Sequence, residues 1–376
     1  MNVEGVFWIV MGNIDRWSSA IDRCAPLLSH KTHTTFIHSY IYGPPTMATR
    51  QTFQLLKFPS LVLTEIICLA DPNVLVRLSS CSRKMHHLIK LENRKFSRFA
   101  KLHMHSGFAE IEVSKERFAV LSAFPIALSA GFATQNVVVR GTDVLSTLID
   151  GIFSTYWEDP EQGCKEIMEY VSNLYGLNIH TLFVRHAQLW MIEWVQARQT
   201  VVQGIAVDKN EELTAEEYLQ LMRTSTTEKL YLMAPFPANF NTLDPFRPRQ
   251  CVYIDHGSWI RREHLLRMDI AEVYVSDSTL NSSDLNLFLK HWLGGGLNRL
   301  RTAVIHIRGY TVLDTIMHEL APNMTVVEHQ RQYVQSDGSI SIIEAGLPDI
   351  KRSDGKIGTI QFQPHTLHFM VWPDHS

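Results

Sequence analysis

Between Lys57 and Lys101, apolar residues recur at helical spacing in three short runs separated by capping signals. After Phe58-Pro59, Leu63, Ile66, Ile67 and Ala70 fall at i, i+3, i+4 and i+7 and predict a helix with one apolar face. Asp71 is placed to cap a second helix with Pro72 at its first position, where a missing N–H costs nothing, and Leu75 and Leu78 share one of its faces. Ser82 can cap a third, in which Met85, Leu88, Ile89, Phe96 and Phe99 keep the spacing. Three helices in so short a stretch, with neither disulfide nor metal, lie at the limit of independent stability. Their apolar faces therefore call for a partner.

Beyond residue 105 short β-branched runs alternate with amphipathic segments. Val137-Val138-Val139 predicts a strand, and Leu145, Leu148, Ile149, Ile152, Phe153 and Tyr156 predict a helix with a continuous apolar stripe. A further helix carries Ile167, Val171, Leu174 and Tyr175 and stops at Gly176. Strand centres then recur at Phe183, Ile205, Tyr231, Tyr253, Tyr274 and Ile305, in steps of 22, 26, 22, 21 and 31 residues. Most of these steps fall in the range of roughly 20 to 29 residues that marks leucine-rich-repeat-like strand–helix units. The consensus leucine and asparagine pattern is absent, so the expectation is an irregular, curved α/β repeat, with a non-repetitive α/β sheet as the plainer alternative. Thr214-Ala215-Glu216-Glu217 is a capping box, and Ser283 precedes a helix with Leu285, Phe288, Leu289, Trp292 and Leu293 on one face, ended by Gly294-Gly295-Gly296. Four strand-like runs follow, broken by Asp337-Gly338, Asp354-Gly355 and Pro364, and predict a small antiparallel β region at the C-terminus.

The expected fold class is α/β. A disordered leader over residues 1–56 precedes a three-helix module over 57–101, a connecting α/β segment over 102–180, a repeat-like domain over 181–325 and a β meander over 326–376. The leader ends its aperiodic part at Gly43-Pro44-Pro45, and its histidines, His30, His33 and His38, have no carboxylate or cysteine beside them and belong to a solvated tail.

With 45% hydrophobic residues in 376, real cores can be filled, which excludes wholesale disorder. The net charge of −3 asks for no nucleic-acid or membrane partner, but it is unevenly spread. Nine basic residues between 57 and 101 stand against Glu65, Asp71 and Glu92 alone. Those of the third helix are scattered and not interleaved with aromatics, so they suit a solvated face or an acidic protein partner better than nucleic acid. No apolar run reaches the roughly 18 residues of a membrane span. The five cysteines are odd in number with no C-x-x-C pair, which points to an intracellular protein, cytoplasmic or nuclear, without disulfide framework or zinc site.

Catalytic constellations are weak. The glycine triplet follows a helix, whereas a phosphate loop leads from a strand into one. Asp255-His256-Gly257-Ser258 holds three triad residue types within four positions, but triads converge from separated segments, and a strand end with a helix N-cap is the better reading. No catalytic residue, cofactor or metal is expected. Trp190, Trp194 and Trp259 are either binding anchors or core.

The run Phe58-Pro59-Ser60-Leu61-Val62-Leu63-Thr64-Glu65-Ile66-Ile67, with Leu69-Ala70-Asp71-Pro72, Leu75, Leu78, Cys81, Ser82 and Leu88-Ile89, resembles an F-box. His86-His87 stand where that motif often has an aromatic residue. Ser283 to Trp292, with the glycines, Arg299-Leu300, Trp259 and the strand Val273-Tyr274-Val275, resembles the type 2 F-box-associated domain of an expanded nematode F-box family, which has the two modules in this order. The resemblance implies a non-catalytic substrate receptor of a cullin-RING (SCF-type) ubiquitin ligase. Its F-box would bind a Skp-type adaptor, and through it a cullin, and its second domain an unidentified target protein. Carried over, the adaptor contacts are Pro59, Leu63, Ile66, Ile67, Leu75 and Leu78, or some of these pack the triplet internally. The alternatives are a repeat scaffold for protein interaction whose triplet only caps the repeat, and a hydrolase built around Asp255 and His256.

Overall fold

The computed structural model describes residues 55–93, 100–149, 151–224, 227–243, 246–247, 250–335 and 338–373. The chain divides between His180 and Thr181 into two units. The leader expected over 1–56 lies, up to residue 54, outside the described residues, as do Phe96 and Phe99.

The first unit opens with α1 (Ser60–Leu69), α2 (Pro72–Cys81) and α3 (Arg83–Asn93). Asp71 takes the N-cap position of α2 with Pro72 inside it, and Ser82 Oγ accepts from the Met85 N–H at 3.1 Å to start α3. Six strands follow: β1 (Ala100–His105), β2 (Phe108–Val113), β3 (Glu116–Pro125), β4 (Gln135–Val139), β5 (Thr142–Ile149) and β6 (Ile152–Trp157). They lie in the order β1-β2-β3-β6-β5-β4, antiparallel throughout except for the parallel pair β3–β6.

The helix expected over Leu145 to Tyr156 is corrected by this arrangement. Its residues form two strands, with Ile149 opposite Ile152 and Gly151 at φ 80° in the turn. The spacing of six large apolar residues fits a helix stripe equally well, but Asp150-Gly151 is a two-residue hairpin signal in the sequence, and Leu145–Ile149 pairs with Ile152–Tyr156 across it. The β4–β5 turn has two residues, Arg140 and Gly141, both at positive φ.

Helix α4 (Pro160–Tyr175) covers this sheet. Asp159 caps it by accepting from the Glu161 and Gln162 N–H groups at 3.0 and 3.1 Å, and Gly176 ends it in the left-handed conformation at φ 67°. Ile167, Met168, Val171 and Leu174 are fully buried with Leu102, Met104, Ala109, Ile111 and Val120 of the strands. Gly163 lets the helix approach the Trp157 ring, since a Cβ there would lie 2.6 Å from Trp157 Cδ1.

In the second unit, β7 (Ile179–Val184), β8 (Val202–Val207), β9 (Thr227–Leu232), β10 (Cys251–Ile254), β11 (Glu272–Val275) and β12 (Thr302–His306) pair in chain order, all parallel. The crossovers carry α5 (Trp190–Arg198), α6 (Ala215–Arg223), α7 (Arg262–Leu265) and α8 (Ser282–Leu293), and α9 (Leu313–Met317) follows β12. Right-handed crossovers place such helices on one face of the sheet. The residues of that face, among them Ile205, Leu230, Val252 and Ala303, are fully buried. The capping box of α6 forms as expected. For α8 the cap is Asn281 and not Ser283: its side chain accepts from the Ser283 and Asp284 N–H groups, and Asp284 accepts in return from the Asn281 N–H.

Beyond α9 come β13 (Met324–Val326), β14 (Arg331–Val334), β15 (Ile340–Ile343), β16 (Pro348–Lys351), β17 (Ile357–Gln363) and β18 (Thr366–Val371). Strands β18, β17, β16 and β13 extend the sheet from β12 in that order by antiparallel pairing, and β14–β15 is a separate antiparallel hairpin. No helix among the described residues is long and apolar enough to cross a membrane.

Candidate functional site

The helical triplet is the first place to look for a partner surface. On α1, Leu63 and Ile67 turn inward, while Leu61 is 73% exposed and Leu69 is 42% exposed. Pro59 is exposed and Ile66 half-buried. Helix α2 is buried along its middle, with Leu75, Val76, Arg77, Leu78 and Ser79 all inaccessible. Burial pulls the Arg77 guanidinium down to about 10, and its Nε donates to the Asn73 carbonyl at 3.3 Å.

The cover comes from the same unit. Tyr175 Oη donates to the Pro72 carbonyl at 2.9 Å, Ser79 Oγ lies 2.7 Å from Tyr170 Oη, and Lys90 Nζ donates to Asn173 Oδ1 at 2.8 Å, so α4 holds both α2 and α3. Leu63, Ile67, Leu75 and Leu78 thus lie inside the chain. Of the six adaptor contacts carried over from the resemblance, only Pro59 and Ile66 reach the surface, joined by Leu61 and Leu69, which belong to the F-box run but were not among those six.

The second surface is the sheet face of the second unit opposite the crossover helices. Tyr253 sits in register between Tyr231 and Tyr274, with ring centroids 6.5 and 6.1 Å away. The row continues through Val304, His368 and Gln361, all half-buried. Beside it the β14–β15 hairpin folds back: the Tyr333 hydroxyl donates to the Arg301 carbonyl at 2.9 Å and lies 3.1 Å from Thr302 Oγ1. Arg331 anchors the hairpin base, reaching both Asp349 oxygens at 2.8 and 2.9 Å and stacking 4.4 Å from the Trp372 ring centre.

Between hairpin and sheet lies a cleft of about 480 Å³, lined by Tyr274, Thr302, Val304, Tyr333, Ile342 and His368 among others. Burial, with His306 nearby, lowers the His368 imidazole below its ordinary value, so it is neutral at pH 7. The tyrosines were legible as strand centres. Their shared face was not, because it depends on cross-strand register. The one available signal was a tyrosine at the centre of three successive strands.

The catalytic candidates do not assemble. Asp255 and His256 follow β10, and His256 Nδ1 lies 3.9 Å from the Asp277 carboxylate. Ser258 caps no helix, since α7 begins at Arg262. Gly257 instead permits a close chain crossing, as a Cβ there would come within 2.7 Å of the Ser276 carbonyl. The glycine triplet ends α8, with Gly294 and Gly296 N–H groups donating to the Lys290 and His291 carbonyls at 2.9 and 3.0 Å. Burial pushes the Cys164 thiol up to about 11 and Cys251 up to about 12, the reverse of an activated nucleophile. Trp259 is buried among Phe236, Phe240 and His264, a packing role, whereas Trp190 and Trp194 are half-buried. Among the described residues, no group of three or more His, Cys, Asp or Glu side chains could hold a metal ion.

Comparison with known proteins finds two family matches in the chain. A family model described as F-box domain matches residues 55–97, and one described as F-box associated matches residues 235–305. The chain is also similar to the E3 ubiquitin-protein ligase hecw-1 of Caenorhabditis elegans, with 35% identity over 49 residues, which are 13% of this chain and 4% of that protein. No solved structure matches. The helical triplet carries the first match and the parallel strands β10 to β12 fall in the second, so the chain carries an F-box domain and, after it, an F-box associated domain.

Proposed function

We propose that this chain is the substrate-recognition subunit of an SCF-type ubiquitin ligase, working in the cytosol or nucleus. Its F-box binds a Skp-type adaptor and through it a cullin, and the second unit holds a target protein for modification by other subunits. What carries the reading is the presence of the two matched modules in one chain. The chain contributes proximity and orientation, which accelerate a transfer without any catalytic side chain of their own. Its adaptor face is the outer side of α1, with Pro59, Leu61, Ile66 and Leu69.

The experiment is co-purification with a Skp-type adaptor. Wild-type chain is expected to retain it. A double variant, Leu61→Asp with Leu69→Asp, is expected to lose it while keeping its melting temperature, because both side chains are exposed. Undiminished capture by the variant overturns this face, and no capture by the wild type overturns the function. The burial of α2 against α4 favours one other reading, a protein-interaction scaffold whose triplet only stabilises its own unit, and the wild-type result separates the two.

A further inference from the structure

The tyrosine face of the parallel sheet carries a second row. Lys229, Cys251, Glu272 and Thr302 stand opposite one another across β9 to β12. The first three each lie two residues before a tyrosine, so strand alternation puts both rows on one face. Glu272 is only 7% exposed. Among the described residues its carboxylate has neither a hydrogen bond nor an ion pair. Lys229 is half-buried two strands away, Arg301 is exposed just before Thr302, and neither pairs with it. Its charge acts on its neighbours: burial first and Glu272 second push the Cys251 thiol up, with Lys229 opposing them.

An enclosed carboxylate without a partner is costly, and an arriving cation relieves that cost. The surroundings select among cations. Tyr253 and Tyr274, with ring centroids 6.1 Å apart, stand beside Glu272 in the next row, and the face of an aromatic ring attracts positive charge. Tyr274 and Thr302 also line the cleft of about 480 Å³, so the carboxylate borders an opening that can take a long side chain. A guanidinium is planar, stacks on rings, meets a carboxylate with two parallel donors and is more weakly hydrated than an ammonium.

We infer that Glu272, with the Tyr253 and Tyr274 rings beside it, is a recognition site for an arginine side chain of a target protein. The inference deepens the substrate-receptor reading and rests on it for placing that arginine in a target.

The test follows amide chemical shifts of the isotope-labelled full-length chain as Nα-acetyl-arginine amide is added, with the lysine and citrulline counterparts as comparison. Citrulline keeps the planar shape and loses the charge. Saturable shifts centred on Glu272 and Tyr274 are expected with arginine, weaker binding with lysine and none with citrulline. Glu272→Gln is expected to weaken arginine binding about tenfold or more, the scale of a lost hydrogen bond to a charged group. The same variant should melt higher than wild type, because an uncompensated buried charge is gone, whereas loss of a glutamate that serves only the fold would lower the melting temperature. Tyr253→Leu keeps apolar bulk without the ring; it is expected to weaken binding as well and serves if Glu272→Gln does not fold. Lysine or citrulline binding as tightly as arginine, no shifts on this face, a lower melting temperature in Glu272→Gln, or unchanged affinity in either folded variant overturns the inference. A chain that captures the adaptor but ignores the arginine amide overturns this inference alone. A chain that binds the arginine amide selectively but captures no adaptor supports the site and overturns the ubiquitin-ligase reading.

Discussion

At the start of α6 the Glu217 carboxylate accepts from the Thr214 N–H, the Thr214 hydroxyl and the Ala187 N–H at 2.8, 2.9 and 2.7 Å, and lies 2.9 Å from His186 Nδ1. Burial alone would raise its affinity for a proton, but these hydrogen bonds outweigh burial and hold the carboxyl down to about 2. A carboxyl depressed in the folded state contributes stability that is present above its ordinary value of 4.5 and is lost as pH falls from there toward about 2. Glu217→Gln is expected to cost about 2 kcal/mol at pH 7, the scale of hydrogen bonds to a charged group. The gap from wild type should narrow as denaturant unfolding is repeated below pH 4.5; a gap that stays constant with pH would show that the charge is irrelevant. The capping box was legible in Thr214-Ala215-Glu216-Glu217. The bond to Ala187 was not, because it joins residues 30 positions apart in the chain.

Helix α2 shows that local spacing specifies an apolar face without specifying what covers it. Its caps and its Leu75/Leu78 stripe were evident from local spacing, and a two-residue stripe looks the same whether a partner protein or the chain's own α4 covers it. Leu75→Asp is expected to place an uncompensated charge in the core and to cost roughly 3 to 5 kcal/mol. Circular dichroism melting should report a large loss; a normal melt would return α2 to the list of open faces. The hairpin β14–β15 is held by fewer groups. Removing the Tyr333 hydroxyl, which donates to the Arg301 carbonyl, is expected to cost about 1 kcal/mol. In Tyr333→Phe, amide exchange should quicken in β14 and β15 while β17 and β18 keep their protection, and unchanged hairpin exchange would show that Arg331 alone anchors it.

Across the whole chain, the net charge of −3 conceals a basic segment between residues 57 and 101. If the adaptor meets this segment with an acidic surface, its association rate should fall as salt is raised while dissociation changes little. Surface-immobilised binding kinetics at low and high ionic strength check this, and a salt-independent on-rate removes charge from the account. The features open to sequence reading were those carried by neighbours along the chain. Pro72 after Asp71, Gly176 after an apolar stripe, and the rhythm of strand centres from Phe183 to Ile305 each follow from local backbone sterics, capping and periodicity. The features settled only in three dimensions depend on residues far apart in sequence. Tyr175 reaching Pro72 closes α2, and Ile149 facing Ile152 turns an apparent helix into two strands that pair within the sheet. Register from β9 to β11 gathers Tyr231, Tyr253 and Tyr274 on one face, and Tyr333 brings a hairpin over that face's edge. Which apolar side chains are exposed to a partner is a question of burial, and burial is set by these distant pairings, whereas periodicity specifies only that a face exists.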